Sequence, residues 1–208
     1  MAGRMIVHDF RLTGAVPSGL GANVYQVTVR TSLSHAFNWV AQHSDRVGGL
    51  DDLWIWCHGF EGVIDDDDLS SCYQAGGFGL ELCQENLTFD TVSVTNVLKS
   101  PRRRVRRIVV FSCAAADSPG TASARRAGSD GMRLMGELAL WSGASVIASD
   151  QTQIYHWRPT MMQRLLGDTT RNDFPIDFGE WEGNVYEFSP DTGRPTPVVT
   201  PLRPVYAV

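Results

Sequence analysis

Short apolar runs alternate along this chain with segments of helical periodicity. Residues 53–57 and 108–112 are apolar enough to predict buried strands, and residues 144–148 predict a third. Residues 5–10 predict a strand near the start of the chain, and residues 24–29 alternate as a half-exposed strand does. Strands that are separated by helical segments are typical of an α/β fold.

The segments between these strands predict three helices. Residues 35–43 carry an apolar face, with Ser34 as the expected N-cap, and residues 87–98 predict a second helix. Ser129 is expected to cap the third helix, and Gly143 is expected to end it in the left-handed conformation. This order of strands and helices predicts a mostly parallel central sheet with helices on its faces.

Less regular segments complete the chain. Residues 78–83 predict a hairpin strand, residues 159–166 a short helix, and residues 189–193 the turn of a C-terminal hairpin, which a proline-rich extended tail follows. A length of 208 residues without an internal repeat or a clear linker predicts a single domain, 1–208. Its core is expected at about 24–153 and an accessory segment at about 154–208.

Composition and charge exclude some classes of function. The chain has a net charge of −5 and its basic residues are bunched, so nucleic acid is not expected as a partner. No apolar run approaches the roughly 18 residues of a membrane span, and the N-terminal segment lacks a signal-peptide core. We therefore expect a soluble, cytoplasmic protein that does not contact a membrane.

The chain contains four cysteines, Cys57, Cys72, Cys83 and Cys113. They include no CxxC pair and are too sparse for a secreted disulfide scaffold, so reduced thiols are expected. Cys57 ends an apolar strand and should point into the core, on the face opposite His58. Cys72 and Cys83 are interpreted as structural. No metal site and no cofactor are predicted.

Charged runs lie at three places outside the predicted strands. Residues 65–68 are four consecutive aspartates, for which a solvated loop is favoured; calcium binding stays open, although the run lacks spaced ligands. Five arginines within residues 102–107 either bind phosphate or an acidic peptide or, as we favour, keep the following strand from aggregating. Arg125 and Arg126 form a basic pair that is interpreted as a self-cleavage point.

Two of the predicted strands end at residues that can do chemistry. One strand stops at His58 and Gly59, and the other stops at Cys113. Because the carboxyl ends of parallel strands form one edge of an α/β sheet, neighbouring strands would bring this imidazole and this thiol together. A cysteine nucleophile with a histidine base is therefore the hypothesis. Either residue alone would be interpreted as structural, and His156 is the only spare histidine in a suitable context.

The motifs along the chain follow one another in a characteristic order. LWIWCHG ends in His-Gly, a GLEL segment and a helix follow, RRIVVFSC ends in Ser-Cys, and an amphipathic helix flanked by glycine leads to the strand GASVIAS. This order, over about residues 34–153, resembles that of the caspase-like cysteine peptidases, and among them the bacterial CHAT-type and the clostripain- and gingipain-related members. The resemblance implies an α/β/α sandwich with a mostly parallel central sheet, and a cysteine endopeptidase without a cofactor.

The resemblance also implies roles for individual residues. It makes His58 the general base and Cys113 the nucleophile, and it makes the backbone N–H groups of Gly59 and Cys113 the oxyanion hole. These roles are physically coherent, because an imidazole lowers the pKa of a neighbouring thiol and peptide N–H groups stabilise a tetrahedral oxyanion. The expected partner is a peptide or protein substrate, with a regulatory protein as a further option.

The residues expected to contact substrate give conflicting indications of the substrate side chain that is preferred. Clostripain-like members place an acidic residue two positions before the cysteine, where this chain has Phe111, and that difference weakens the case for Arg-directed cleavage. Ser149 and Asp150 follow the strand after the nucleophile. Asp150 either accepts a Lys or Arg side chain of the substrate or caps a loop. Cleavage after a basic residue therefore stays open.

Two other functions are alternatives. HGFEG after a strand also resembles the oxyanion loop of α/β-hydrolases, which would make this protein an esterase. However, the chain has no G-x-S-x-G motif, and Ser112 and Cys113 lack flanking glycines. A caspase-like fold can also serve as a non-catalytic scaffold or interaction module, although the presence of both His58 and Cys113 argues against that.

Overall fold

A computed structural model of the chain describes residues 3–17, 20–66, 71–100, 104–118, 129–157, 161–165 and 174–198. The strands in this part of the chain are β1 (Gly3–Asp9), β2 (Ala22–Val27), β3 (Leu50–Trp56), β4 (His58–Gly59), β5 (Gly62–Asp66), β6 (Ser71–Ala75), β7 (Leu80–Glu81), β8 (Val105–Phe111), β9 (Ser145–Ser149), β10 (His156–Trp157), β11 (Ile176–Asp177), β12 (Val185–Phe188) and β13 (Pro195–Pro197). The helices are α1 (Leu33–Val47), a 3₁₀ helix (Val92–Leu98), α2 (Gly131–Ser142) and α3 (Met161–Leu165).

Seven of the described strands form one central sheet, in the order β13-β12-β9-β8-β3-β1-β2. Neighbours from β2 to β9 in this order are parallel, and β12 and β13 join antiparallel at one side. The described residues thus form a mixed α/β fold with a mostly parallel central sheet, which confirms the prediction at that level. β1, β12 and β13 belong to this sheet although they lie outside the span 24–153 that was predicted as the core.

The two faces of the sheet are covered differently. On one face, Leu53 and Ile55 of β3 pack with apolar residues of α1, the 3₁₀ helix and α2. On the other face, Trp54 and Trp56 pack with residues outside the helices, such as Phe178. The described helices that contribute residues to the core therefore cover only one face of the central sheet, the face of Leu53 and Ile55. A helical layer on the second face, as in an α/β/α sandwich, stays a prediction.

Two helices begin at residues other than those predicted. Ser32, not Ser34, caps α1, because its hydroxyl accepts a backbone N–H of the first turn at 3.2 Å. Asp130, not Ser129, caps α2, because its carboxylate accepts a backbone N–H of the first turn at 3.1 Å. Ser129 is instead buried and donates its hydroxyl to the Gly76 carbonyl. Both helices end at left-handed glycines, Gly48 and Gly143, which confirms the prediction made for Gly143.

The prediction of a helix over residues 87–98 is wrong in the extent and in the type of the helix. Only Val92–Leu98 is helical there, and it forms a 3₁₀ helix. Four of its residues are β-branched, and such side chains lose rotamer freedom in an α-helix. Leu87 exchanges two backbone hydrogen bonds with Leu80 instead. The strand predicted at 78–83 is likewise shortened to β7, and Cys83 follows it at a positive φ of 61°.

The C-terminal segment follows the prediction more closely. β12 and β13 pair antiparallel around residues 189–193, which confirms the predicted hairpin. α3 lies within the helix predicted at 159–166. None of the described helices is long and apolar enough to cross a membrane.

Aspartates neutralise the described part of the arginine run. Ion pairs join Arg104 to Asp45, Arg106 to Asp51 and Arg107 to Asp52. These three arginines are therefore not a free cationic patch for phosphate, and their gatekeeping role stays a prediction. The loop favoured for residues 65–68 is wrong at Asp65 and Asp66, which lie in β5 and pair with β6. Other predictions fall outside the described residues: those for Asp67, Asp68, Arg102, Arg103, Arg125, Arg126 and the tail beyond residue 198.

Candidate active site

Three adjacent parallel strands end side by side at the carboxyl edge of the sheet. These strands are β1, β3 and β8, and they pair in that order. His58 and Gly59 follow β3 and form β4, and Cys113 follows β8. The structure thus places the predicted base and the predicted nucleophile on segments that leave the sheet at the same edge, where sites of α/β proteins form.

Gly59 packs directly against the backbone of Cys113. A Cβ atom at position 59 would collide with the carbonyl oxygen of Cys113 and would lie 2.9 Å from Ser112 Oγ. The backbone of Gly59 and the backbone of Cys113 itself lower the pKa of the Cys113 thiol. The backbones of the two residues predicted to form the oxyanion hole therefore lie close to the sulfur.

The Cys113 thiol is half-buried, and its pKa is raised overall. Burial is the largest cause, the negative charge of Glu61 adds to the rise, and hydrogen bonds with the backbone of Gln153, Gly59 and Cys113 oppose it. At neutral pH the neutral thiol therefore dominates over the thiolate. A base must take the proton when this sulfur attacks a substrate.

The two other cysteines whose side chains are described are inert by comparison. Cys57 is 1% exposed, and burial raises the pKa of its thiol. Cys83 is 0% exposed, and burial raises the pKa of its thiol to about 12. Both lie in the hydrophobic core, which confirms their interpretation as structural residues. The side chain of Cys72 lies outside the described part of the chain.

A backbone carbonyl that sequence reasoning missed orients the His58 ring. His58 Nε2 lies 3.2 Å from the carbonyl oxygen of Arg11, which can only accept a hydrogen bond. The contact therefore places a proton on Nε2 and leaves Nδ1 of the neutral ring as a proton acceptor. Among the hydrogen bonds of the described residues, none joins the ring to Cys113 Sγ. Nδ1 would have to approach the thiol before it could accept the thiol proton.

Arg11 lies in the turn after β1, and only a weak signal marks it in the sequence. That signal is an aspartate at the end of an apolar strand, Asp9, with an arginine two residues later. Tyr155 is a second neighbour that the sequence did not single out. Its ring centroid lies 6.2 Å from that of His58, and burial raises the pKa of its phenol, with a smaller contribution from the neighbouring Cys113.

Two of the three residues predicted to contact substrate are buried. Ser149 is 0% exposed and donates its hydroxyl to the Glu182 carbonyl. Phe111 is 1% exposed and stacks on Phe178 and Trp181, at 4.9 Å between ring centroids in each case. Both side chains are therefore packed inside the protein in this structure. Their contact with a substrate stays a prediction.

Asp150, the third of these residues, lies on the wall of a cleft that is also lined by Ala114, the residue after Cys113. The cleft has a volume of about 180 Å³, and Glu61, Asp117 and Asp150 contribute carboxylates to its lining. Asp150 also accepts the backbone N–H of Asn184 at 2.8 Å and its side-chain amide at 3.0 Å. The loop-capping role considered for Asp150 is therefore present, and the residue also borders the cleft.

Neither a metal centre nor a relative assigns a function to this site. Among the described residues, no group of three His, Cys, Asp or Glu side chains could hold a metal ion. No protein-family model, curated protein or solved structure matches this chain. Function is therefore inferred from the residues and the geometry of the site.

Replacing Glu61 by glutamine should make Cys113 more reactive. The substitution removes the negative charge that raises the pKa of the thiol and keeps the shape of the side chain, so the Cys113 pKa should fall. Alkylation of Cys113 by iodoacetamide should become faster near neutral pH, and its pH profile should move to lower pH. Mass spectrometry of the Cys113 peptide measures this rate separately from that of Cys72. Glu187→Gln, at an exposed position of β12, is the control, and equal rates in both variants would contradict the role of Glu61.

Proposed function

We propose that this protein is a caspase-like cysteine endopeptidase in which His58 and Cys113 form a catalytic dyad. One observation carries the proposal. Gly59 and Cys113 are in contact where two adjacent parallel strands end, and the backbones of both lie close enough to the sulfur to lower the pKa of the thiol. The order of the motifs along the chain and the α/β fold both support this proposal. The proposal includes a caspase-like α/β/α sandwich as the complete fold.

The chemistry follows from the positions of the donors and acceptors. Cys113 Sγ attacks the carbonyl carbon of the scissile peptide bond while its proton passes to Nδ1 of His58. The N–H groups of Gly59 and Cys113 bind the oxyanion. Cleavage of the C–N bond transfers the proton from Nδ1 to the leaving amine and leaves a thioester on Cys113. Water, deprotonated by His58, then hydrolyses the thioester and restores the thiol.

A basic residue before the scissile bond suits the acidic cleft that Ala114 lines. Glu61, Asp117 and Asp150 place negative charge around it, and a Lys or Arg side chain would be bound by such carboxylates. All three carboxylates also accept hydrogen bonds within the protein, so a substrate cation would share them with Asn184, Gln74, Thr152 and the Gly76 N–H.

Peptides that carry an acylating electrophile test the proposal. A panel that differs only in the residue before the electrophile (Arg, Lys, Leu or Glu) is incubated with the protein, and adducts are located by mass spectrometry. The expected result is one adduct, on Cys113, that forms fastest with Arg or Lys and is absent from Cys113→Ala.

Other outcomes of this experiment decide between the alternatives. An adduct on Cys113 with no preference for a basic residue would keep the peptidase and reject the role of the acidic cleft. Failure of every peptide to label the wild-type protein would favour a non-catalytic scaffold. Hydrolysis of short acyl esters that survives Cys113→Ala would favour an esterase instead.

A further inference from the structure

We propose that Asp9 and Arg11 are positioning residues for His58, because they hold the Arg11 carbonyl where it receives the Nε2 proton. The catalytic consequence rests on the proposed function. The positioning itself can be measured without it, because the tautomer of a histidine ring is observable in the resting protein.

The Asp9 side chain shapes the turn by which the chain leaves β1. The Leu12 N–H donates to the Asp9 carbonyl at 3.0 Å, which closes the turn around Arg11. Asp9 Oδ1 accepts the backbone N–H of Arg11 at 3.0 Å, as in an Asx-turn. These two hydrogen bonds constrain the peptide planes on either side of Arg11. They therefore constrain the direction of the Arg11 carbonyl.

The same carboxylate also binds the Arg11 guanidinium at two points. Arg11 Nε lies 2.8 Å from Oδ1 of Asp9, and Nη2 lies 2.9 Å from Oδ2. Asp9 is 0% exposed, so water does not compete for its oxygens. A two-point contact with a buried carboxylate restricts the side chain of Arg11 far more than a surface ion pair does.

The pair also contacts the segment that follows the partner strand of β4. Asp9 Oδ2 accepts the N–H of Cys83 at 2.8 Å, and Arg11 Nη2 donates to the Cys83 carbonyl at 2.9 Å. Cys83 lies two residues after β7, and β7 pairs with β4, which contains His58. One ion pair therefore links the turn that carries the accepting carbonyl to the chain next to the hairpin that contains His58.

A comparable ion pair near the opposite edge of the sheet provides a matched control. Asp52 is 6% exposed, binds Arg107 Nε at 2.7 Å and lies 3.5 Å from Arg4. All three residues lie near the amino ends of their strands, away from His58. Asp52→Asn thus removes a similar buried charge without touching the carbonyl of Arg11.

The tautomer of His58 in the Asp9→Asn variant tests the proposal. In this variant the Arg11 and Cys83 donors would face an amide NH₂ group, so the turn should loosen. In ¹⁵N–¹H spectra, with His58→Gln used for assignment, the neutral His58 ring of the wild type should carry its proton on Nε2. In Asp9→Asn a population with the proton on Nδ1 should appear, and kcat for peptide cleavage should fall about tenfold with little change in KM.

Asp52→Asn should match the wild type in both measurements. A folded Asp9→Asn protein with the wild-type tautomer would overturn the proposal, and so would an equal shift in Asp52→Asn. If Asp9→Asn does not fold, Arg11→Lys decides, because it keeps the charge but not the two-point contact; a smaller shift in the same direction is expected, and no shift overturns the proposal. If Cys113 forms no adduct with any peptide, the proposed function fails, while the tautomer still decides whether Asp9 and Arg11 position the ring.

Discussion

Replacing His58 by alanine should slow the acylation of Cys113 by about 10²- to 10⁴-fold near neutral pH. Burial and the charge of Glu61 raise the pKa of the thiol, so very little thiolate forms without a base. The loss should shrink as the pH rises, because hydroxide then produces the thiolate that otherwise depends on His58. Stopped-flow kinetics with a chromogenic peptide substrate, between neutral pH and the alkaline limit of stability, measure both effects.

Two further variants serve as controls for the His58→Ala prediction. Cys113→Ala should show no acylation at any pH, because the proposed nucleophile is gone. Cys57 and Cys83, the other cysteines whose side chains are described, are buried, and burial raises the pKa of both thiols. His156→Ala should behave as the wild type, since His156 is exposed in β10. If His156→Ala lost activity while His58→Ala kept it, the assignment of the base would be wrong.

Gly59→Ala should reduce kcat for peptide cleavage by about 10²-fold. The new Cβ would collide with the Cys113 carbonyl and would lie 2.9 Å from Ser112 Oγ, so β4 must move away from the end of β8. That shift would withdraw the Gly59 N–H from the oxyanion hole that we propose. The free energy of unfolding should fall by about 1–3 kcal/mol because the methyl group overpacks this contact. Steady-state kinetics and urea denaturation measure the two effects separately.

Gly62→Ala is the matched control for this substitution. A Cβ at Gly62 would meet only Phe78 Cε2, at 3.9 Å, which is an ordinary contact. The variant should keep both the activity and the stability of the wild type. Wild-type kcat in Gly59→Ala would show that the close approach of Gly59 to Cys113 has no role in catalysis.

The raised pKa of Cys113 bears on how the site is controlled. Because the resting sulfur is a neutral thiol, it reacts slowly with general oxidants and electrophiles. In the proposed dyad, reactivity then depends on the approach of His58 Nδ1, which the contact of Nε2 with the Arg11 carbonyl leaves as a proton acceptor. The ion pair of Asp9 and Arg11 would act on this proton transfer through the histidine, and the charge of Glu61 would act on it through the thiol.

Local signals in the sequence account for the strands and for the helix ends. The run before His58 is apolar at every position from 53 to 57, and a strand that is buried on both faces requires such a run. Gly48 and Gly143 end α1 and α2 because each adopts a positive φ that other residues rarely take. The N-caps were harder to predict, because Ser32 and Ser34 both suit the role and only the turn geometry selects between them.

The sequence alone determined that His58 and Cys113 follow buried strands, because apolar runs and the residues that end them are properties of short segments. Only the tertiary structure decided that β3 and β8 are neighbours, that Gly59 touches Cys113, and that Ser149 and Phe111 turn inward. It also supplied the Arg11 carbonyl, 47 positions from His58 along the chain. Such contacts arise when distant segments pack together, and a backbone carbonyl carries no side-chain signal by which a sequence could reveal its partner.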